Sequence, residues 1–425
     1  MLSTFTAIST LLLAMAVLLM GTGLMGTALG LRAGIEHFSP TVTGVVMSAY
    51  FIGYVVGTYV CPRMIRRVGH IRAFSAMAAV AAASILAHGL LVHPLAWMVL
   101  RVISGLCMVG LYMTMESWLN VLASNSSRGR LFAVYQTINL LALAVGQFLV
   151  LIGDVAGMVP FALAAVLISL ALVPVALTPV EQPASVPTVR IGLGHLYALS
   201  PTGLAGSLGS GLLNGTLWGM GPVFAHLAGL SNAGVATFMA AIILGGAVLQ
   251  WPVGWLSDHR DRRIVLAGVG LCGAGFALLM GLFSGHGLAW MAVSGFFYGG
   301  MAFTVYGLSM AHLNDMLKPH EVLEAARGMM LMHGVGAMLG PMLGGALMHL
   351  FGPAVLMLFF AAVLLFVGGF GLLRKSIKSP PQGGRRGGFV PMLRTSQAAM
   401  EMDPRIASQD EAAAAARQPV GTPSH

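Results

Sequence analysis

Residues 110–120 read GLYMTMESWLN, and residues 304–314 read TVYGLSMAHLN. The tyrosines Tyr112 and Tyr306 stand 194 positions apart, and so do the Leu-Asn pairs that end both stretches. Gly105 and Gly299, just upstream, keep the same offset. Both stretches lie in long apolar segments. Because carriers built from two copies of one helical bundle bind substrate between the copies, this duplication predicts a two-part membrane carrier.

The composition also predicts an integral membrane protein. Charged residues make up 8% of the chain, against about 25% in ordinary soluble domains, and hydrophobic residues make up 57%. The sequence therefore predicts an all-α membrane protein with twelve transmembrane helices in two pseudo-symmetric six-helix bundles. At about 20 apolar residues per span, the predicted spans are roughly 5–31, 41–62, 73–93, 96–121, 130–153, 157–178, 200–227, 232–256, 264–285, 288–313, 325–349 and 353–373.

These spans divide the chain into four parts. Residues 1–178 form the N-terminal bundle, 179–199 a cytoplasmic linker, 200–375 the C-terminal bundle and 376–425 a cytoplasmic tail. The linker is too polar and proline-rich to cross a membrane, and we expect a short surface helix near residues 189–196. The tail is rich in Gly, Pro, Ala and Gln, a composition typical of disorder.

The basic residues predict the orientation. An even number of spans places both termini on one side, and all 22 Lys and Arg residues except Arg32 and Arg101 then fall on that side. Loops rich in Lys and Arg stay in the cytoplasm, so we expect both termini there. The net charge of +9 is thus explained by topology, and we expect no nucleic-acid partner.

The sequence shows no pattern typical of an enzyme. It has no cluster of His and Cys at metal-ligand spacing, no phosphate-binding Gly-x-x-x-x-Gly-Lys and no credible nucleophile–base pair. We therefore predict a non-enzyme without metal or cofactor, whose partners are a small molecule, the lipid bilayer and, in the proton-coupled alternative to facilitated diffusion, protons. The alternative is a receptor or sensor that keeps a carrier fold without transport, although such a protein would be expected to carry a signalling module.

Four motifs in order carry a resemblance to a known family. They are PRMIRRVGHIR at residues 62–72, RVISGLCMVG at 101–110, GWLSDHRDRR at 254–263 and GAMLGPMLGG at 336–345. Together they resemble the major facilitator superfamily, and the segment beginning at Glu116 is similar to an uncharacterised bacterial subgroup of it. Two departures stand out: the copy after helix 2 lacks the leading Gly and the Asp, and the Gly-Pro motif lies in helix 11, whereas antiporters of the family carry it in helix 5.

The resemblance implies a monomeric carrier in the bacterial inner membrane that works by alternating access, either facilitative or proton-coupled. It also implies gating by the loops after helices 2 and 8. The candidate gating residues are Arg66, Arg67, Gly69, Gly254, Asp258, Arg262 and Arg263. The alternative is that these charges only signal topology.

The charges of the two gating loops predict a pair of cytoplasmic latches of opposite polarity. Arg66, which stands where the superfamily has an Asp, would pair with Glu321 or Glu324 at the start of helix 11. Asp258 would pair with one of two arginines at the start of helix 5, Arg128 and Arg130. The alternative is four solvated loop charges.

Titratable groups inside the membrane are the candidates for proton coupling, because each is costly in hydrocarbon. Glu116 is either a proton carrier or a gate residue that pairs with Arg67 or Arg128. Arg101 corresponds to a family arginine tied to proton coupling, or it extends to the outer surface. His333 either titrates near neutral pH or packs as a neutral ring.

Uncharged polar residues near mid-depth are the candidates for substrate contact. Asn214 and Trp218 share one helix face, since they are four residues apart, and their alternative role is hydrogen bonding between helices. The candidate substrate-binding residues are Tyr112, Gln136, Asn139, Asn214, Trp218 and Tyr306. Because these residues carry no charge, they favour neutral or amphipathic substrates.

Overall fold

The computed structural model describes residues 2–123, 128–177, 192–317, 321–377 and 389. Within these ranges the protein is helical throughout. Its helices are α1 (Leu2–Ile35), α2 (Pro40–Val68), α3 (His70–Leu90), α4 (Pro94–Leu122), α5 (Arg128–Phe148), α6 (Val159–Leu170), α7 (Leu172–Leu177), α8 (Leu193–Leu199), α9 (Pro201–Leu227), α10 (Asn232–His259), α11 (Arg262–Leu282), α12 (Leu288–Asn314), α13 (Val322–Phe351) and α14 (Val355–Ile377).

The predicted fold class is confirmed. Eleven spans in the described ranges are long and apolar enough to cross a membrane, with α6 and α7 together forming the sixth. The remaining predicted span is α9, which has 27 residues but many Gly and Ser residues that lower its hydropathy. The linker helix is α8, somewhat later in the chain than expected. Of the predicted tail beyond α14, only Phe389 lies within the described residues.

Short connections fix the antiparallel order of the helices. Ser39, Ser200 and Ser231 cap α2, α9 and α10 by accepting hydrogen bonds from backbone N–H groups of the first helical turn. A single residue, Gly69, joins α2 to α3 at φ 86°, a conformation that is unfavourable for residues with a Cβ. The glycine of the first gating loop is therefore required by the turn between α2 and α3.

Asp261 caps α11, and its oxygen Oδ1 accepts a hydrogen bond of 2.9 Å from the backbone N–H of Arg263. Partial burial acts to raise the pKa of the Asp261 carboxyl. The hydrogen bonds and positive charge of Arg263 outweigh this effect, so the pKa lies below its usual value. The carboxylate therefore stays ionised at the helix N-terminus, where negative charge is favourable.

Glycines determine how closely the helices of each bundle pack. A Cβ at Gly105 in α4 would overlap the carbonyl oxygen of Tyr50 in α2, and a Cβ at Gly299 in α12 would overlap that of Ile242 in α10. The two glycines that the duplication places 194 positions apart thus make the same contact in the two halves. Each allows two helix backbones to approach more closely than any larger residue would permit.

The two bundles meet through α2 with α13, α5 with α10, α1 with α9 and α2 with α9. We call the side where α1 begins and α14 ends the terminal face, and the other side the opposite face. Large exposed apolar side chains cover the outside of the molecule, as expected for a lipid-facing surface. Exposed tryptophans lie near both faces, with Trp251 and Trp255 near the terminal face and Trp290 near the opposite one.

Candidate functional site

A cavity of about 670 Å³ lies between the two bundles. Its wall is formed from mid-helix residues of α1, α2, α4, α9, α12 and α13. It extends to Tyr59 on α2, Leu193 on α8 and Arg327 on α13, all of which lie toward the terminal face. The cavity is therefore open toward the terminal face, and its size is within the range of small-molecule sites.

At the opposite face the two bundles are in close contact. A Cβ at Gly44 of α2 would overlap the carbonyl oxygen of Pro341 in α13, and a Cβ at Gly345 would overlap that of Pro40. Beside this contact, α1 packs on α9, where a Cβ at Gly30 would lie 3.1 Å from the Cβ of Pro222. We call the contact of Gly44 and Pro40 with Pro341 and Gly345 the glycine seam; it seals the cavity from the opposite face.

The C-terminal bundle contributes a hydrogen-bonded cluster to the cavity wall. Asn214 donates from Nδ2 to the hydroxyl oxygen of Ser210 at 3.2 Å, and that hydroxyl lies 3.2 Å from Nδ1 of His333. The His333 ring packs edge-on against Tyr306, with their centroids 5.2 Å apart. The buried Tyr306 hydroxyl finds no hydrogen-bond partner among the described residues. This cluster thus leaves a polar group available to a ligand.

Trp218 lies on the same wall as Asn214, one turn further along α9. Its indole stacks on Phe303 of α12, with ring centroids 6.3 Å apart and an interplanar angle of 11°. Both rings border the cavity. Together with Tyr306, they form an aromatic surface suited to a flat or apolar part of a substrate.

The N-terminal bundle contributes Arg101 to the wall. Its guanidinium carbon lies 4.4 Å above the ring of Tyr50, and the side chain is only 9% exposed. Arg101 is therefore inside the protein and borders the cavity, so it does not extend to the outer surface. Tyr112 and Asn139 border the same side of the cavity. Tyr112 and Tyr306 thus occupy matching places on the two walls.

Glu116 lies behind this wall and is completely buried. The hydroxyl of Tyr135, on α5, donates a hydrogen bond to Glu116 Oε1. Asn139 lies one turn further along α5 and borders the cavity. Gln136, which follows Tyr135 in the sequence, is buried but is not among the cavity-lining residues. Glu116 therefore contacts the helix whose Asn139 reaches the cavity wall.

The second gating loop forms contacts inside the C-terminal bundle. Arg262 Nε donates to Asp315 Oδ2 at 2.7 Å, which ties the start of α11 to the end of α12, and Nη1 donates to Asp258 Oδ1 at 3.3 Å. Asp258 also accepts hydrogen bonds from the backbone N–H of Phe389, at 2.8 Å to Oδ1 and 3.0 Å to Oδ2. The Phe389 ring packs on Gly254, where a Cβ would overlap it.

Among the side chains that the structure describes, neither predicted latch is formed. Arg66, Arg67 and Arg130 are exposed at the terminal face. Glu321 Oε1 lies 3.7 Å from Nε2 of His195 on the linker helix α8. The side chains of Arg128 and Glu324 lie outside the described part of the protein. Because the cavity is open at this face, the structure represents the state in which such latches would be broken.

Several wall residues were missed from sequence. Phe303 was not considered, although it lies one turn before Tyr306 and so shares its helix face. Tyr135 was also missed, although a buried acid requires a hydrogen-bond donor on a neighbouring helix. Arg327 was counted only as a topology signal. Among the described residues, no group of three or more His, Cys, Asp or Glu could hold a metal ion.

Comparison with known proteins agrees with this architecture. The family model described as "Major Facilitator Superfamily" matches residues 11–321 and 203–407. An uncharacterised MFS-type transporter of Enterobacter sp. (strain 638) is 28% identical over 341 residues, covering 78% of this chain and 86% of that protein. The uncharacterised MFS-type transporter YcaD of Escherichia coli O17:K52:H18 (strain UMN026 / ExPEC) is 29% identical over 344 residues, covering 80% and 88%.

Solved structures show the same fold. A variant of the nucleoside transporter NupG has a TM-score of 0.73 at 14% identity, covering 86% of this chain and 99% of that one. A bacterial homologue of the human lysosomal transporter Spinster, in an inward-facing and occupied conformation, has a TM-score of 0.71 at 16% identity, covering 87% and 96%. With its two bundles, its central cavity and the family match over most of its length, this chain belongs to the major facilitator superfamily and is a membrane transporter of a small molecule.

Proposed function

We propose that the protein is a monomeric secondary transporter of the bacterial inner membrane and that its terminal face is cytoplasmic. The placement of basic residues supports this orientation, since all Lys and Arg residues except Arg32 and Arg101 fall at that face or in the linker and tail. In this orientation the structure is open to the cytoplasm and closed to the periplasm. A periplasm-active reporter fused after residue 376 should then give no signal, whereas strong activity would reverse the orientation.

The observation that carries the mechanism is a cavity between two bundles that is open at one face and sealed at the other. Rocking of one bundle against the other would break the glycine seam and close the terminal face, which exposes the same wall to the other side. The seam consists of backbone contacts between two helices, so it can separate as a unit.

Locking the opposite face tests alternating access. Gly34 on α1 and His226 on α9 face each other there, and a Cβ at Gly34 would lie 3.3 Å from Cδ2 of His226. In a variant without the three native cysteines, the double variant Gly34→Cys, His226→Cys should lose transport on oxidation and regain it on reduction. Each single-cysteine variant is the matched control. Full transport by the oxidised, crosslinked protein would contradict alternating access.

Asn214 and Trp218 contact the substrate in this proposal. Both border the cavity, and they present an amide beside a stacked indole. Asn214→Ala and Trp218→Ala should each lower transport while the amount of folded protein in the membrane stays the same. Unchanged kinetics in both variants would move the binding site elsewhere.

Transport is coupled to protons in this proposal, with His333 as the carrier. His333 borders the cavity, where it can exchange protons with water, and its Nδ1 lies within hydrogen-bond distance of Ser210. Glu116 is the second candidate, since it accepts a hydrogen bond from Tyr135 on α5, the helix whose Asn139 borders the cavity.

Proteoliposomes with an imposed pH gradient separate the two candidate carriers. His333→Ala should abolish gradient-driven accumulation and leave counterflow exchange intact. Glu116→Gln should have the same two effects only if the buried carboxylate carries the proton. Gradient-driven accumulation that persists in the double variant would exclude both residues as carriers.

A further inference from the structure

The cavity wall has an asymmetric charge. Its charged residues are Arg101 and Arg327, and no Asp or Glu is among the described residues that line it. The substrate-contact candidates from the sequence are uncharged, and Arg101 was expected either to take part in proton coupling or to extend to the outer surface. The structure places its guanidinium at the wall, above the ring of Tyr50. The cavity therefore carries positive charge within the membrane-spanning part of the protein.

A positive charge in such an environment favours an anionic ligand. Charge–charge attraction is several times stronger near low-dielectric surroundings than in water, so the charge of the arginine acts strongly on a ligand in the cavity. Arginine also presents its N–H groups in a planar fork that matches the two oxygens of a carboxylate.

The remainder of the wall is suited to an apolar body. Trp218 stacks on Phe303 at one wall of the cavity, and Tyr306 lies on the same helix as Phe303. These groups belong to the C-terminal bundle, whereas Arg101 belongs to the N-terminal bundle. A ligand with a charged end and an aromatic or aliphatic body would therefore contact both bundles at once.

We propose that the substrate class is an amphipathic organic monoanion, whose carboxylate binds Arg101 and whose apolar body lies on the Trp218–Phe303 surface. The Tyr306 hydroxyl, which has no partner among the described residues, supplies a further hydrogen bond to a polar group of the ligand. This inference rests on the proposed function, since it names the substrate of the same cavity. It adds that the substrate is negatively charged, and that its charged end contacts the N-terminal bundle while its apolar body contacts the C-terminal bundle.

Ligand binding to the purified full-length protein in detergent tests this class without requiring transport. The probes are phenylacetate, phenylbutyrate and naphthoate, each compared with its primary amide and the corresponding amine. The carboxylates should raise the Tm, and the amides and amines should raise it less at the same concentration. Because the bodies are matched within each set, the difference reports the charge of the head group alone.

Variants then test whether Arg101 is the residue that binds the carboxylate. Arg101→Gln should weaken carboxylate binding by about tenfold to a hundredfold, and Arg101→Lys by less, because it keeps the charge without the fork. Arg374→Gln is the matched control, since Arg374 lies over Phe370 at the end of α14 and does not line the cavity. It should leave binding unchanged.

Two results would overturn the inference. One is an amide or amine that raises the Tm of the wild-type protein as much as the carboxylate with the same apolar body. This comparison uses the wild-type protein alone, so it does not depend on the folding of any variant. The other is Arg101→Gln with undiminished preference for carboxylates. Neither depends on the Gly34–His226 crosslink. If carboxylates bind as expected but the crosslinked protein still transports, alternating access fails while the substrate class stands.

Discussion

Adding a single methyl group to the glycine seam should shift the protein toward its other state. At Gly44 the new Cβ would overlap the carbonyl oxygen of Pro341 and would lie 3.2 Å from the Cα of Gly345. Both are backbone atoms, so no change of rotamer can relieve the overlap. In Gly44→Ala, therefore, α2 and α13 must move apart at the opposite face.

The size of the shift follows from the cost of overpacking. Extra methyl groups in well-packed sites typically cost about 1–3 kcal/mol. This cost falls on the state in which the seam is closed, and it disappears when the bundles separate there. The ratio of the state open to the opposite face to the state seen here should thus increase by about 5-fold to 150-fold. Gly345→Ala should act similarly, since its Cβ would overlap the Pro40 carbonyl.

Labelling of a cavity cysteine measures the shift. In a variant without native cysteines, Thr22→Cys places a thiol on the cavity wall. A membrane-impermeant maleimide applied from the opposite face should react with it faster once Gly44→Ala is added. Gly369→Ala on α14 is the matched control, because no atom lies within 4 Å of the added Cβ. Equal labelling rates in the Gly44→Ala and Gly369→Ala backgrounds would refute the role of the seam.

Three further predictions concern the loop charges, the terminal face and the cavity wall. Arg66→Glu should slow transport, and adding Glu324→Arg should restore part of it; full activity of the single variant would dismiss the latch. Gly254→Ala should displace the Phe389 ring, so that trypsin cleaves the tail faster than in the unaltered protein, and an unchanged rate would contradict the packing. Tyr306→Phe should raise KM by about 5-fold to 30-fold at unchanged expression, since it removes only the hydroxyl; an unchanged KM would remove that hydroxyl from the site.

The fold could be predicted from sequence because its signals are strong and local. Long apolar segments must become spans, and the offset of Tyr112 from Tyr306 implies a repeated bundle. The least apolar span, α9, still follows from its length and its match to α1. The duplication also marks Gly105 and Gly299, and the structure gives the physical reason, since both allow close contact of two backbones.

The site was less predictable, because side-chain direction depends on neighbours that are distant in sequence. Arg101 lies only two turns from the start of α4, and its depth alone could not decide between proton coupling and extension to the outer surface. Its position above Tyr50 depends on the close packing of α2 against α4. For Glu116 the sequence pointed to proton carriage or to loop arginines, and it gave no sign that Tyr135 on the neighbouring helix donates to it. Neither contact has a local sequence signal.

The duplicated halves have kept their geometry and lost their chemical equivalence at the cavity. Tyr112 and Tyr306 remain a pair, but Asn139 is matched by His333 at the same offset, and Arg101 by a glycine. The N-terminal wall thus provides the buried charge of Arg101, and the C-terminal wall provides the titratable ring, the stacked Trp218 and, toward the terminal face, Arg327. A symmetric wall would bind a ligand through equivalent groups on both sides. Because the two walls carry different groups, a ligand binds one bundle with its charged end and the other with its apolar body. Full binding therefore requires both bundles to be close together. Substrate binding can therefore favour bundle closure, which is the step that alternating access needs.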